Sequence, residues 1–507
     1  MVLKLVAVFG YLLALLVIGA VAAKRVKDVG DYFAGGKSLG FWVVAFSSRA
    51  TGESAWLLLG LTGMGAAIGA QAFWVVLGEV LGVGGAWLFM ARRFKKLTDR
   101  YDSITIPDYL ESRFRDDSQR LRKIAAITLV VFVTIYVSAQ IDATGTAFET
   151  FLGWNYYVGA VVGFVVVLVY IVSGGFIAVA WSDAFQGTLM FLGLVTLPLV
   201  GTWVAGGVGE VTAGLAAQDP TLLEIGFGDG LLGFASVLSL TLIGLGFLGS
   251  PQVFVRFISI RSPNEVNRGA AVAISYTVIA LSGAVLTGMV GRHLLVEASE
   301  DFTAVLGNGA QNVLPLMVEA YLPAVLAGVF IAIVLSAIMS TVDSLLIVAA
   351  SALVRDWYQK VNHPDLPDDA LIALSRKATV VLALVALAVA LGVATLVPGR
   401  TVFWFVIFGW SGISATFCPT MILSVFWKGM TGRGAVVAMI VGFACVPFFK
   451  FIAPEIPVVG PFFAALEELP PAFILSALAG VTVSLLDTEG QKRVAGAAEE
   501  LADAASE

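Results

Sequence analysis

The chain has 507 residues, 59% hydrophobic and 13% charged, with a mean hydropathy of +0.93. Soluble domains carry about 25% charged residues, so composition excludes a soluble globular protein and puts most of the chain in a lipid bilayer. The net charge of −6 argues against nucleic acid as a partner, and two cysteines in apolar spans (Cys418, Cys445) and two histidines in loops far apart in sequence (His293, His363) offer neither a disulfide framework nor a metal cluster.

Apolar stretches of about 20 residues, the length that crosses a bilayer as a helix, fall at roughly 4–23, 38–66, 69–91, 123–148, 155–175, 180–204, 231–255, 270–292, 317–350, 376–397, 401–427, 433–452 and 468–486. The sequence therefore predicts an all-α membrane protein of thirteen transmembrane helices. The first stretch is too long for a signal-peptide core and has no basic flank before it, so it reads as a retained helix. The second carries Arg49, Gly52 and Glu53 in mid-span. The seventh carries the run Gly244-Leu245-Gly246-Phe247-Leu248-Gly249-Ser250-Pro251, which cannot stay an unbroken helix. Interruptions five helices apart are what an inverted repeat of five helices each produces, with the bound solute at the breaks.

All but five of the 30 basic residues fall in loops on one side of these spans. Lys4, Arg292, Arg400 and Lys450 fall on the other side, and Arg49 lies inside a span. The positive-inside rule then sets the N-terminus outside and the C-terminus in the cytoplasm. The loop 205–230 is acidic (Glu210, Asp219, Glu224, Asp229) and faces outward. The tail 487–507 reads as a frayed cytoplasmic helix or disorder, and no separate soluble domain is visible.

Polar groups deep in apolar spans need a partner, a cavity or an ion. On the ninth span, Ala337, Ser340 and Thr341 stand at i, i+3 and i+4 and present a carbonyl and two hydroxyls on one helix face. Such hard oxygens suit a small hard cation, although Ser and Thr also bond back to their own helix carbonyls. Asp343, two residues on, needs a cation or a proton. On the second span, Gly52 weakens the helix, and broken backbone exposes carbonyls for a cation and N–H groups for an anion. Arg49 and Glu53, spaced i, i+4, form either a self-neutralising buried pair or a receptor for a substrate carboxylate. Asp183 is either the N-cap of the sixth span or a further cation ligand. Trp56 and Tyr136 are packing residues or the walls of a solute pocket. Glu79 and Asp142, also within spans, face either a cavity or a hydroxyl.

Several segments resemble the solute:sodium symporter family, and within it the sodium/proline symporter branch. They are Asp31-Tyr32-Phe33-Ala34-Gly35-Gly36-Lys37-Ser38-Leu39-Gly40, Trp56-Leu57-Leu58-Leu59-Gly60-Leu61, Ile106-Pro107-Asp108-Tyr109-Leu110, Gly174-Gly175-Phe176 with Trp181-Ser182-Asp183-Ala184-Phe185-Gln186, and Ala337 to Thr341. The likeness runs through about residues 1–485. It implies a leucine-transporter-type core of five plus five inverted helices with one extra N-terminal helix. The transporter domain is then 1–486, with the extra helix at 4–23, repeats at 38–204 and 231–397, additional helices at 401–486 and a tail at 487–507. By position, the resemblance implies a sodium site at the Ala50, Glu53 and Ala337 carbonyls with the Ser340 and Thr341 hydroxyls. It implies a second sodium site at Asp183, Asp343 and Ser344, and a substrate pocket at Ser54, Trp56, Tyr136, Phe247 and Pro251, with Arg49 as the further candidate. The chain departs from the branch at Gly52, where the proline transporters carry Asp, at Arg49 in place of a small residue, at Ile243 in place of Trp and at Phe247 in place of Tyr.

The expectation is a sodium-coupled symporter importing a small carboxylated solute across the cytoplasmic membrane by alternating access. L-proline is the first choice; another amino acid, a vitamin or an organic acid is the alternative. Na+ is the coupling ion, with no other cofactor, no obligate protein partner and no enzymatic activity. A proton-coupled carrier using Asp183, Asp343 or Glu53 and a solute-binding membrane sensor are the rivals from other classes.

Overall fold

The computed structural model describes residues 2–171, 175–226, 228 and 230–506, so Gly174 and Asp229 lie outside the described residues. The regular structure is helical, with one isolated two-residue bridge between Leu39 and Ile260. In hydrocarbon each backbone N–H and C=O must be bonded within its own segment, and the helix is the element that does so for these apolar runs. The principal helices are α1 (Val2–Ala23), α2 (Phe41–Gly52), α3 (Phe73–Gly85), α4 (Arg120–Leu152), α5 (Gly175–Val204), α6 (Leu231–Leu242), α7 (Pro251–Ser259), α8 (Val266–Leu295), α9 (Ala324–Ser351), α10 (Asp368–Leu396), α11 (Val402–Phe426), α12 (Gly432–Phe451), α13 (Leu469–Leu486) and α14 (Ala497–Ala505).

Among the described residues, eleven helical runs are long and apolar enough to cross a membrane, against the thirteen spans expected. The difference has two sources. Phe41–Gly52 has 12 residues, short of a full crossing, and the described part of the fifth expected span, Tyr156–Ile171, has 16. The second and third expected spans also join in one helical run, Trp56–Arg100, of 45 residues. A straight helix of that length would reach ~68 Å, more than twice the ~30 Å hydrocarbon core. Gly69, at φ +60°, divides it in a left-handed conformation that a side chain disfavours.

Both predicted interruptions are present. α2 stops at Gly52, the chain bends at Glu53, and helix resumes at Ser54, widening into π-type turns from Trp56. α6 stops at Leu242, a tight 3₁₀ stretch covers Ile243–Leu248, and Pro251 opens α7. The two half-helices are tied at the far end of each. The Leu39 N–H donates to the Ser259 carbonyl at 3.0 Å and the Arg261 N–H donates to the Leu39 carbonyl at 2.9 Å. α2 packs against α5, α8, α9 and α7, so the break at Gly52 is surrounded by protein.

The ion pairs sort by face. Asp108 accepts from Arg355 at 2.7 Å and pairs with Arg122 at 2.8 Å, while Asp356 accepts from Arg122 at 2.7 Å and from Thr105 at 2.9 Å. This network fastens the basic segment 105–122 to the end of α9. Away from it, Lys4 pairs with Glu319 and Lys450 with Glu467. Arg400 pairs with Asp142, which also accepts from Tyr156 at 2.5 Å.

Three local expectations differ from the structure. The tail is ordered: α14 buries Ala497, Leu501 and Ala504, a helical stripe, while Glu500 accepts from Tyr101 at 2.5 Å and Arg115 at 2.6 Å and Asp503 accepts from Arg100 at 2.9 Å. Burial works against the Glu500 carboxylate, but the bonds from Tyr101 and Arg115 hold it below the usual range. Asp183 sits in the interior of α5 and so is no N-cap, because α5 begins well before the apolar run suggested. His293 lies in the last turn of α8 rather than in a loop.

Candidate functional site

At the first interruption the backbone groups freed by the broken helix find partners on α4. The Ala55 N–H donates to Gln140 Oε1 at 3.0 Å, and Gln140 Nε2 donates to Ser54 Oγ at 3.2 Å. Tyr136 Oη donates to Ser54 Oγ at 3.4 Å, and the Trp56 indole N–H donates to the Gly52 carbonyl at 3.0 Å. Ser54, Trp56 and Tyr136 are therefore brought together, with Gln140, one turn along the helix from Tyr136, completing the group. Trp410 joins them, its ring 6.5 Å from Tyr136 and 4.9 Å from Phe247. Pro251 instead starts α7 and lines a cleft with Ile106, Leu129 and Val348.

Three of the four positions that depart from the resembled branch, Arg49, Gly52 and Phe247, form one contiguous cluster with Glu53 and Glu79. Arg49 pairs with Glu53 and lies 3.4 Å from Glu79. Its guanidinium also stacks on the Phe247 ring at 4.7 Å. A Cβ placed on Gly52 would stand 2.6 Å from Phe247 Cε1, so the phenyl ring occupies the volume a side chain at position 52 would fill. All four of Arg49, Glu53, Glu79 and Phe247 are buried. Glu79 thus faces a charge partner, not a cavity.

A second group of oxygens forms where α2 meets α9. Ser340 Oγ donates to the Ala50 carbonyl at 3.0 Å and lies 2.8 Å from the Ser336 carbonyl and 3.3 Å from that of Ala337. Thr341 Oγ1 reaches the Thr51 carbonyl at 3.1 Å and the Ala337 carbonyl at 3.2 Å. Ala50, Ala337, Ser340 and Thr341, predicted as one site, lie together and none is exposed. Glu53 sits one turn on, its side chain turned to Arg49. The Thr51 carbonyl is the member that sequence reasoning missed. Neutral carbonyls and hydroxyls at such spacing are the donor set that a small hard cation would take, with each hydroxyl turning its proton away to offer a lone pair.

The third group holds the predicted second-site residues. Asp183 accepts from Ser47 at 2.7 Å and from Thr51 at 3.2 Å, Thr51 Oγ1 meets Ser344 Oγ at 3.0 Å, and Ser344 Oγ donates to Asp343 at 3.2 Å. Arg256 of α7 enters the same group. Its Nη2 donates to Asp183 at 2.8 Å, to Thr51 Oγ1 at 2.6 Å and to Ser344 Oγ, and its Nε donates to Ser47 Oγ at 3.1 Å. The positive-inside count had assigned Arg256 to a loop. Its place four residues after Gln252 on a short amphipathic helix was the only signal of an inward position.

A cavity of about 310 Å³ lies beside the first interruption, lined by Gly60, Met64, Leu240, Phe403, Trp404 and Glu467 among others. The Phe403 ring meets Trp56 edge-on at 6.0 Å between centroids, so the aromatic pair stands between this cavity and the break.

Known proteins resemble the chain in sequence and in fold. The model of the sodium:solute symporter family matches residues 32–442. The high-affinity proline transporter PutP of Bacillus subtilis is 35% identical over 479 residues, covering 93% of this chain and 96% of its own. The sodium/proline symporter of Escherichia coli is 31% identical, covering 94% and 91%. Among solved structures, a Na+-coupled sialic acid symporter superposes with a TM-score of 0.77 at 21% identity, covering 96% of this chain and 97% of that one. MhsT in complex with L-phenylalanine gives 0.54 at 16% identity, covering 87% and 98%. Their likeness places the fold in the leucine-transporter class, and the chain belongs to the sodium:solute symporter family.

Proposed function

We propose that the chain imports L-proline together with Na+ across the cytoplasmic membrane by alternating access, with its N-terminus outside and C-terminus inside. The observation that carries this reading is the pair of hydroxyls on α9, Ser340 and Thr341, set 3.0 and 3.1 Å from the Ala50 and Thr51 carbonyls. A sodium ion there bridges the broken α2 and α9, whose relative position must change as access alternates. The relatives named as proline transporters supply the solute. The two repeats, 38–204 and 231–397, move against each other around this point.

Sodium and solute then raise each other's affinity by the same factor. Ser54, Trp56, Tyr136 and Phe247, with Gln140 and Trp410, form an aromatic pocket edged with hydroxyl and amide groups. Arg49 stays with Glu53 and Glu79, and the solute carboxylate is received by N–H groups at the interruptions, the positive ends of half-helices. The 310 Å³ cavity is at the small end for ligand sites and suits a small solute entering past Phe403.

One observation favours a second reading, symport of another small carboxylated solute. Arg49, Gly52 and Phe247 differ together from the proline branch and meet at the pocket. Counterflow in proteoliposomes decides between the two. Preloaded proline exchanging with external labelled proline, and not with a panel of other amino acids and small acids, supports the first. A sodium gradient at clamped pH must drive uptake, and uptake that follows a proton gradient alone would sink both.

A further inference from the structure

We propose that the cleft where α4 and α12 begin and α13 ends is a binding site for the phosphodiester headgroup of an anionic phospholipid. It has a volume of about 450 Å³ and lies on the side that the basic loops assign to the cytoplasm. Arg115, Arg120, Arg433 and Arg493 line it, over an apolar floor that includes Val436 and Val483. Three carboxylates also line the cleft, and each is already engaged within the protein. Asp116 accepts from Ser118 and from the Leu121 N–H, Asp487 accepts from Arg433 and from the Gly490 N–H, and Glu489 accepts from Lys492. Two guanidinium groups are matched in the same way, Arg433 by Asp487 and Arg115 by Glu500. Arg120 and Arg493 have no ion-pair partner among the described residues.

A solvated arginine needs no partner, but these two share one cleft, and Arg120 stands where a cation is disfavoured. It is the first residue of α4, at the positive end of the helix dipole. α12 also begins in the wall of the cleft, at Gly432, and the first N–H groups of a helix have no partner within it. The local potential is therefore positive, and the charge that would relieve it is an anion from outside the chain. Guanidinium matches phosphate oxygens two at a time. Depth in the bilayer selects a lipid over a soluble anion. Between the lining residues Val483 and Asp487, Leu485 and Leu486 are 60% and 77% exposed, as side chains that meet acyl chains are. The cleft thus opens at the level of the headgroups, with an apolar floor for the glycerol and the first methylenes. Basic pockets between spans on the cytoplasmic side are a recurrent form of headgroup receptor.

The test uses the full chain, equilibrated in detergent with equal amounts of phosphatidylglycerol and phosphatidylcholine and then re-isolated. Mass spectrometry of the retained lipid reads the preference between the two, and the wild type is expected to retain phosphatidylglycerol. An arginine near the surface is worth about fivefold in favour of an anionic lipid. Arg120→Gln and Arg493→Gln should each lower the preference by about that factor, and the double variant by about 25-fold. Both side chains are exposed and unpaired, so the fold should tolerate the changes, and unaltered thermal unfolding of the variants checks this. Lys24→Gln with Lys27→Gln removes the same charge from the same face, at exposed positions outside the cleft, and should leave the preference unchanged. An equal loss in that control, a double variant that keeps the wild-type preference, or a wild type with no preference overturns the proposal. Glycerol 3-phosphate that displaces the retained lipid as well as added phosphatidylglycerol does, at the same concentration, marks a soluble phosphate as the occupant and overturns the lipid assignment.

Discussion

Two oxygen groups lie side by side between α2 and α9 and differ in one respect. The Ala50, Thr51, Ala337, Ser340 and Thr341 group consists of neutral carbonyls and hydroxyls bonded to one another. The Ser47, Thr51, Asp183 and Ser344 group contains a carboxylate and already holds the Arg256 guanidinium. A cation bound only by neutral dipoles leaves readily, whereas a charge paired with a buried carboxylate is costly to remove. The first arrangement suits an ion that must come and go in every cycle, the second a charge that stays.

The contrast breaks most visibly at Asp183. Asp183→Asn takes the carboxylate from buried Arg256 and leaves it the Ser47, Thr51 and Ser344 hydroxyls and the Gln252 carbonyl, and loss of one partner of a buried pair costs about 3–5 kcal/mol. Thermal unfolding in detergent should show a marked drop, and an unchanged melting temperature would remove Arg256 from the site. Ser340→Ala or Thr341→Ala should be milder for the fold and severe for the ion. Losing one hydrogen-bonding oxygen to a charged group costs about 1.5–3 kcal/mol, roughly a ten- to hundredfold rise in the sodium concentration for half-maximal uptake, with membrane abundance little altered.

A smaller effect is expected at the Gly52–Phe247 contact. The added methyl of Gly52→Ala meets the ring at 2.6 Å, and overpacking of this kind costs about 1–3 kcal/mol. Phe247→Leu in the same chain should recover part of it, and stability measurements on the four members of the cycle read the coupling. Additive effects would show that the two positions do not share a volume.

The smallest effect lies outside the spans, at Glu467. Burial raises its carboxyl from 4.5 to about 7, with Lys450 opposing and the neighbouring Glu468 adding to the rise. The folded state therefore keeps a proton that the unfolded chain releases. The associated stability is complete below about pH 4.5 and is lost as pH rises through about 7. Glu467→Gln should flatten that part of the stability profile, and a slope identical to wild type would exclude Glu467 as its source.

The membrane class, both interruptions and the hydroxyl face of α9 were legible because each has a local cause: hydropathy, Gly-Pro runs and i, i+3, i+4 spacing. The Thr51 carbonyl, Gln140 and Arg256 were not, because they join the sites through contacts between distant segments. Arg256 was misleading in a definite way, since a base near a span end normally faces the cytoplasm and only packing could draw it inward. The start of α5 was placed too late because its first turn, Gly175 to Val179, is apolar but follows a glycine pair that reads as a loop. The order of the tail was hidden because α14 is short and alanine-rich with a single large apolar residue, Leu501, and its acidic residues complement a segment nearly four hundred residues earlier.

That separation has a cost in time. Arg100 and Asp503 are 403 residues apart, and a ribosome adds about 5–20 residues per second. For roughly 20–80 s after Arg100 leaves the ribosome, the basic face of the nascent protein has no acidic latch. Throughout that interval Arg100 and Arg115 lack the carboxylates that α14 later brings to them, so this latch closes only when synthesis is nearly complete.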